Sequence, residues 1–321
     1  MRNDNVKMDN TINIVFAADS NYAQHATVAM ISIIRHTKSQ ERLRFFVLAD
    51  NIPKTTKEKM KLSVIDKCAD IVFVDIDAAK ISKYYVSGQL SRTAYARLEM
   101  AKWLPADIDK VIYLDCDLIV FSDIVELWDY DLEDKPLGAV PDYGIMTSHK
   151  DFVIKQQTLA MQVNDSYFNS GVLVLSLAKW RKNNYTEKLQ ELVVTNNYQH
   201  HDQDALNKLF YNNWQSLPLR WNIIPPVWQL FQKILWRAKF RRRALEARKN
   251  IAILHYAGGY KPWEYKPIAD FNLEYYRSWY NSAFCNEVMP RPNPNRKRRS
   301  IKRQLWRIRL ADFWQMIFTI I

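Results

Sequence analysis

The chain has 321 residues, 48% of them apolar and 25% charged, enough to bury the core of one large domain and too apolar for wholesale disorder. It has only 6 Gly, and no G-x-G-x-x-G, G-x-x-x-x-G-K-[ST], G-x-S-x-G or H-E-x-x-H, which excludes reading a dinucleotide fingerprint, a P-loop, a nucleophile elbow or a zincin helix. The net charge of +12 is uneven: residues 233–249 and 291–321 together carry +15, which leaves the rest of the chain at −3. The body is slightly acidic, and two short segments have the composition of polyanion- or membrane-binding stretches.

Three scattered cysteines, Cys68, Cys116 and Cys285, form no C-x-x-C and no disulfide framework, which fits a reducing compartment. The first ten residues are polar and lack an apolar core, so the sequence predicts no secretory signal. A cytosolic protein is expected.

Apolar runs alternate with helical patterns in chain order, the signature of an α/β domain. Residues 12–18 (INIVFAA) read as a buried strand and 26–36 as a helix. Residues 43–48 are a second strand, 54–65 a charged amphipathic helix, and 71–74 a third strand. Ser91 is placed to cap a helix over 93–103, which Pro105 stops. A fourth strand begins at 111–114. Residues 171–177 read as another buried strand, 204–210 as a short helix, 251–254 as a last strand, and 270–284 as a surface helix rich in aromatics. Pro290 and Pro292 open a linker over 290–295 that ends the domain. Beyond it, 296–309 holds eight basic residues interleaved with Leu305, Trp306 and Ile308, and the last nine residues carry no charge. Nine apolar residues are too few to span a bilayer, so the segment 296–321 is expected to lie on an anionic membrane surface. The alternative is a solvated basic tail, or a helix packed on the domain.

Five Asp-x-Asp pairs occur, and their context separates them. Asp115 and Asp117 follow VIYL and precede LIVF, so both sit between apolar runs where unpaired carboxylates are costly. Residues i and i+2 of an extended segment point the same way, so the two can grip one hard cation such as Mg²⁺ or Mn²⁺. The alternative is a pair of loop aspartates that cap a helix or pair with a lysine. Asp75 and Asp77 read as a strand exit at the surface. His255 follows the last strand, where it can complete the metal's ligands, and precedes Gly258-Gly259, where the backbone can approach a phosphate and Lys261 can neutralise it; the alternative is a core histidine with a turn after it. Asp19, after the first strand, can accept a uracil or ribose hydrogen bond beside the ring of Tyr22, or can start the next helix as an Asx turn. Three polar clusters at strand ends suggest one nucleotide-plus-metal site, since ligands of open α/β sheets bind at carboxyl ends of strands.

The stretches FAADSNYA (16–23), TAYARL (93–98), KVIYLDCDLIV (110–120), LGAVPDYG (137–144), YFNSGVLVLSLAKWR (167–181), HDQDALN (201–207) and HYAGGYKPW (255–263) occur together in one order. In these the chain resembles glycosyltransferase family 8, the retaining enzymes that include bacterial lipopolysaccharide α-galactosyl- and α-glucosyltransferases. The resemblance spans roughly residues 11–265 and implies an α/β chain with the GT-A fold, one Rossmann-like nucleotide-sugar-binding domain with a mixed sheet; with the linker read above, the domain is expected over 1–289 and the Pro-containing linker and basic amphipathic tail over 290–321. It implies a UDP-galactose or UDP-glucose donor, a divalent cation (Mn²⁺ or Mg²⁺) and a lipid-linked oligosaccharide acceptor. By matching motifs, Asp115, Asp117 and His255 look like the metal ligands. Ala17, Asp19, Asn21 and Tyr22 look like the uridine pocket, and Gly258 and Lys261 like diphosphate contacts. Arg97, Cys116, Asn169 and Asp202 look like further donor contacts. Gln203 matches the residue beside the anomeric carbon, and Asp142 lies near the reacting sugar. The chain has Ser20 where many relatives have Asp, and Ser170 where many have Ala. Segment 225–250 matches nothing specific. The other readings are a sugar-nucleotide pyrophosphorylase, which lacks its expected Gly-rich loop here, and a basic polyanion-binding protein. No nucleic-acid module is legible, so no nucleic-acid partner is expected. A location on the cytoplasmic face of the inner membrane follows from the tail and the acceptor.

Overall fold

A computed structural model describes residues 10–65, 67, 69–77, 84, 92–230, 234, 237–259, 261–263 and 271–287, with Trp306, Arg309, Leu310, Phe313, Met316 and Ile317. Ser91, the linker 290–295 and the remainder of the tail lie outside the described residues.

The apolar runs form a seven-stranded mixed sheet in the order β3-β2-β1-β4-β7-β6-β8. The strands are β1 Ile12–Asp19, β2 Leu43–Asp50, β3 Asp70–Asp75, β4 Lys110–Leu114, β6 Leu137–Pro141, β7 Phe168–Ser176 and β8 Gln215–Ser216. A separate antiparallel pair joins β5 Leu118–Val120 to β9 Ile253–His255, with Leu118 opposite His255. Strands β1 to β4 pair in parallel, whereas β7 runs antiparallel to both β4 and β6.

Side chains alternate across a strand, so each strand feeds two cores. In β1, Ile12, Ile14, Phe16 and Ala18 face one core and Val15 the other. In β4, Ile112 and Leu114 join the first core and Val111 and Tyr113 the second. The first face is covered by the helix Ala23–His36, and the second by Ala96–Trp103, Tyr185–Thr195 and His201–Leu209. The helix predicted over 93–103 begins as a 3₁₀ turn, Arg92–Tyr95, before the α-helix Ala96–Trp103.

The helix Phe271–Tyr280 lies at the surface with Leu273 and Tyr280 47% and 57% exposed, and its other face is packed on the domain. Tyr275 and Trp279 are 2% and 1% exposed, because the helix docks on Ala23–His36 and buries the aromatic side chains there. Tyr275 donates to, or accepts from, His25 Nδ1 at 2.7 Å.

The topology brings distant segments to one edge. The C-terminal ends of β1, β4 and β6 and the N-terminal end of the antiparallel β7 meet there, with Leu114 opposite Val172 and Pro141 opposite Phe168. Residues just beyond these ends are therefore neighbours although the sequence separates them by tens of positions.

Candidate active site

At this edge lies a cavity of about 550 Å³. Every predicted site residue lines it except Asn21, which is exposed and offers its backbone nitrogen to Asp19 Oδ1 at 2.9 Å. Tyr22 N donates to the same oxygen at 3.0 Å, so Asp19 forms the Asx turn that leads into the helix Ala23–His36, and its residue still faces the cavity.

Asp115 and Asp117 flank Cys116 in the connection from β4 to β5, and His255 ends β9. One side-chain ligand atom from each of the three lies within 4.8 Å of the others. Asp117 Oδ1 is 3.2 Å from His255 Nε2, and Asp115 Oδ2 is 3.7 Å from it. Among the described residues this is the one cluster of its kind. Two hard carboxylate oxygens and an imidazole suit Mn²⁺ or Mg²⁺. Gly171 leaves the room: a Cβ there would sit 2.3 Å from His255 Cε1 and 2.7 Å from Asp115 Oδ2. The donor set and this cradle fit a cation.

Each carboxylate also holds a basic side chain. Asp115 Oδ1 binds Arg97 Nη2 at 2.8 Å and accepts from the Tyr113 hydroxyl at 3.1 Å. Asp117 Oδ2 binds Lys261 Nζ. Burial alone would raise the Asp117 pKa, but Lys261 and His255 together outweigh it and hold the carboxyl well below its usual range. Arg97 is buried and also bonds Asp202, Ser170 and the Ala94 carbonyl, with its guanidinium 4.7 Å over the Tyr113 ring. Burial would lower the Arg97 pKa; Asp115 and Asp202 more than offset that and hold it above its ordinary value. Arg97 lines the cavity with its guanidinium already committed to these partners.

The Gln203 amide has a defined orientation. Its Oε1 accepts from the backbone N–H of Ser170 at 3.0 Å, and that group is only ever a donor. Its Nε2 therefore faces Asp142 Oδ2 at 3.2 Å and the Tyr167 oxygen at 3.1 Å. Asp142 caps the short helix Tyr143–Met146 through Ile145 N and accepts from Asn169 Nδ2 at 3.2 Å. Burial pushes the Asp202 carboxyl up, against the opposing pull of Arg97.

Behind Gln203, Asp204 is 1% exposed and does not line the cavity. Lys155, fully buried, binds its Oδ2 at 2.8 Å, and Tyr167 donates to its Oδ1 at 2.6 Å. Burial and the Asp204 charge push the Tyr167 phenol well up, so its proton stays in place.

Sequence reasoning missed Thr93, Tyr113, Gln199 and His200, which also line the cavity, and Asn222, which lies behind His255. Gln199 and His200 precede the recognised HDQDALN motif, and proximity to it was their only signal. Burial, then Lys155, lowers the His200 pKa and keeps the ring neutral.

Residues 13–266 match the model of glycosyl transferase family 8. The chain is 30% identical over 278 residues to general stress protein A of Bacillus subtilis (strain 168), covering 84% of this chain and 94% of that protein. It is 27% identical over 283 residues to a lipopolysaccharide 1,2-glucosyltransferase of Escherichia coli, covering 86% and 80%. Among solved structures, galactosyltransferase LgtC in complex with donor and acceptor sugar analogs aligns with a TM-score of 0.73 at 29% identity, covering 84% of this chain and 95% of that one.

Proposed function

Because the chain belongs to glycosyl transferase family 8 and is a glycosyltransferase of GT-A fold, we propose that it moves a hexose, galactose or glucose, from UDP to a lipopolysaccharide-type glycan with retention at the anomeric carbon. The observation that carries this reading is the meeting of Asp115, Asp117 and His255 with Gln203, Asp142 and Asp202 in one cavity. The lipopolysaccharide-type acceptor rests on the likeness to the Escherichia coli enzyme.

Asp19 and Tyr22 line the end of the cavity assigned to uridine, and Gly258 and Lys261 the stretch assigned to the diphosphate. Asp115, Asp117 and His255 would hold Mn²⁺ or Mg²⁺, which supplies electrostatic stabilisation to the departing UDP. Gly258 has φ +80° and no atom within 4 Å of a built Cβ, so the backbone there is open to a phosphate. Asp202, Asn169 and Arg97 border the sugar end.

Retention requires either a covalent sugar–enzyme adduct or attack from the face that the leaving group vacates. An amide is a poor nucleophile, so Gln203 supports positive charge at the anomeric carbon rather than forming the adduct. Both Asp204 oxygens are bound by Lys155 and Tyr167 outside the cavity lining, and Asp202 is held by Arg97. These contacts favour front-face attack. The mechanism fails if a glycosyl adduct on Asp202 or Asp204 of the unmodified enzyme is trapped with a slow donor.

The tail 296–321 is proposed to attach the enzyme to the cytoplasmic face of the inner membrane. Its described residues Trp306, Phe313 and Met316 are 59%, 50% and 56% exposed, and eight basic residues precede or surround them. No helix among the described residues is long and apolar enough to cross a membrane.

A panel of UDP-sugars assayed for UDP release with Mn²⁺ tests the function. Release from UDP-galactose or UDP-glucose, abolished by chelator and by Asp117→Asn but not by Asp75→Asn, is the expected result. Chelator-insensitive release would overturn the metal assignment, and UTP formation with pyrophosphate would point to the pyrophosphorylase instead.

A further inference from the structure

Two basic side chains sit on the paired carboxylates, and they differ in how they are held. Arg97 is 5% exposed, and its guanidinium is fixed by Ala94, Ser170, Asp115 and Asp202 together. Lys261 lies in the coil that follows Gly258-Gly259. Its ammonium has two partners here, Asp117 Oδ2 and the carbonyl of Tyr256 at 2.9 Å. Arg97 is built into the wall, whereas Lys261 is a flexible stem with a movable charge.

The position of that charge matters. Lys261 Nζ and His255 Nε2 touch opposite oxygens of the same carboxylate. A divalent cation held by Asp115, Asp117 and His255 would therefore lie beside an ammonium on a shared ligand, inside a cavity wall where charges are weakly screened. Like charges at that separation repel, so the Asp117–Lys261 pair must loosen when a cation is bound. An ammonium with 11% side-chain exposure then needs another anion. The same cavity holds the open backbone at Gly258 three positions before it, the place assigned to the donor diphosphate.

We propose that Lys261 exchanges between Asp117 and the diphosphate of the nucleotide, so that it competes with the cation when no nucleotide is bound and favours both ligands when they bind together. This rests on the metal and UDP assignments above and adds a coupling to them. Coupling of this kind is reciprocal: whatever factor the nucleotide contributes to cation affinity, the cation contributes to nucleotide affinity. A cation that bridges the diphosphate also produces synergy, but that synergy does not involve Lys261. The two are separated by what happens to cation binding in the absence of nucleotide.

The test is titration calorimetry of Mn²⁺ into the full chain, with and without saturating UDP, for wild type, Lys261→Met and Lys261→Gln. Wild type is expected to bind Mn²⁺ at least tenfold more tightly with UDP present. With no nucleotide, both variants are expected to bind Mn²⁺ several-fold more tightly than wild type, because the competing ammonium is gone. With UDP, both are expected to bind it more weakly than wild type, so the coupling shrinks. Unchanged or weaker Mn²⁺ binding by both variants without UDP, in protein whose circular dichroism matches wild type, would overturn the exchange. Wild type that binds no Mn²⁺ even with UDP would instead refute the metal assignment on which the exchange rests.

Discussion

His255 Nδ1 lies 2.9 Å from Asn222 Oδ1, and the direction of that hydrogen bond follows from a chain of neighbours. The backbone N–H of Gly171 donates to Asn169 Oδ1 at 3.0 Å, and Asn222 Nδ2 donates to the same oxygen at 2.8 Å. Asn222 must then present its oxygen to His255. The imidazole therefore carries a proton on Nδ1 and directs Nε2 toward Asp115 and Asp117, the nitrogen that a cation would take as its ligand. Asn222→Leu removes the orienting acceptor. Mn²⁺ affinity in the presence of UDP is expected to fall about 10- to 100-fold, measured by calorimetry, with Asn222→Asp retaining more of it.

Gly171→Ala tests the room around the same imidazole. The new Cβ meets His255 Cε1 at 2.3 Å and Asp115 Oδ2 at 2.7 Å, and Gly171 belongs to a central strand that cannot withdraw easily. Overpacking of this kind costs about 1–3 kcal/mol. Urea unfolding is expected to show that loss, and UDP release is expected to fall more steeply than the stability change explains. Unchanged activity would show that His255 does not need its present position.

Gln203→Leu keeps the approximate size and removes both amide functions. Turnover is expected to fall by about 100-fold or more, the scale seen when one preorganised electrostatic group is lost, while the affinity for UDP stays within about twofold. Stopped-flow UDP release and calorimetry separate the two. A parallel loss of UDP affinity would make Gln203 a donor-binding residue instead.

His25 gives the fold a pH dependence. Burial lowers its pKa to about 3, from 6.5, so the folded ring stays neutral where the unfolded one titrates. Below pH 6.5 the unfolded chain binds the extra proton, so this stability is present above that pH and is lost as pH falls toward the folded value. The loss reaches about 2 kcal/mol by pH 5. His25→Phe is expected to flatten the change in unfolding free energy between pH 6.5 and pH 5, whatever its effect at neutral pH. An unaltered slope would assign the acid sensitivity to other groups.

Deleting residues 296–321 is expected to abolish sedimentation with vesicles containing anionic lipid at low salt, with UDP release from the donor nearly unchanged. Each basic residue near such a surface contributes roughly 1 kcal/mol before mutual repulsion is discounted. Full-length protein that stays in the supernatant would refute membrane attachment.

Legibility followed physical context. The strands were readable because β1, β4 and β7 are covered on both faces and so appear as nearly unbroken apolar runs. Asp115 and Asp117 stood out for the same reason, as two carboxylates between buried strands. The Asp-x-Asp at 75 and 77 was separable because its strand ends in solvent, where Asp75 meets Lys57. The family motifs also placed Gln203, Asp142 and Asn169 near one another without any geometry.

What tertiary structure decided is the set of partners. Lys155 lies in a helix otherwise half-exposed, and a lysine there reads as solvent-facing, yet it is fully buried on Asp204, 49 residues away. Asn222, in a stretch with no motif, reaches His255 because β9 runs beside the segment that carries it, with Ile223 bridged to Leu254. Tyr275 and Trp279 of the aromatic helix Phe271–Tyr280 are buried, while Tyr280 is exposed, because Ala23–His36 presents an apolar face to one side of it. Periodicity reports how each segment divides between core and solvent, since that depends on its own side chains. The partner of a buried charge depends on which distant segment the sheet order sets beside it, and that order is a property of the assembled chain.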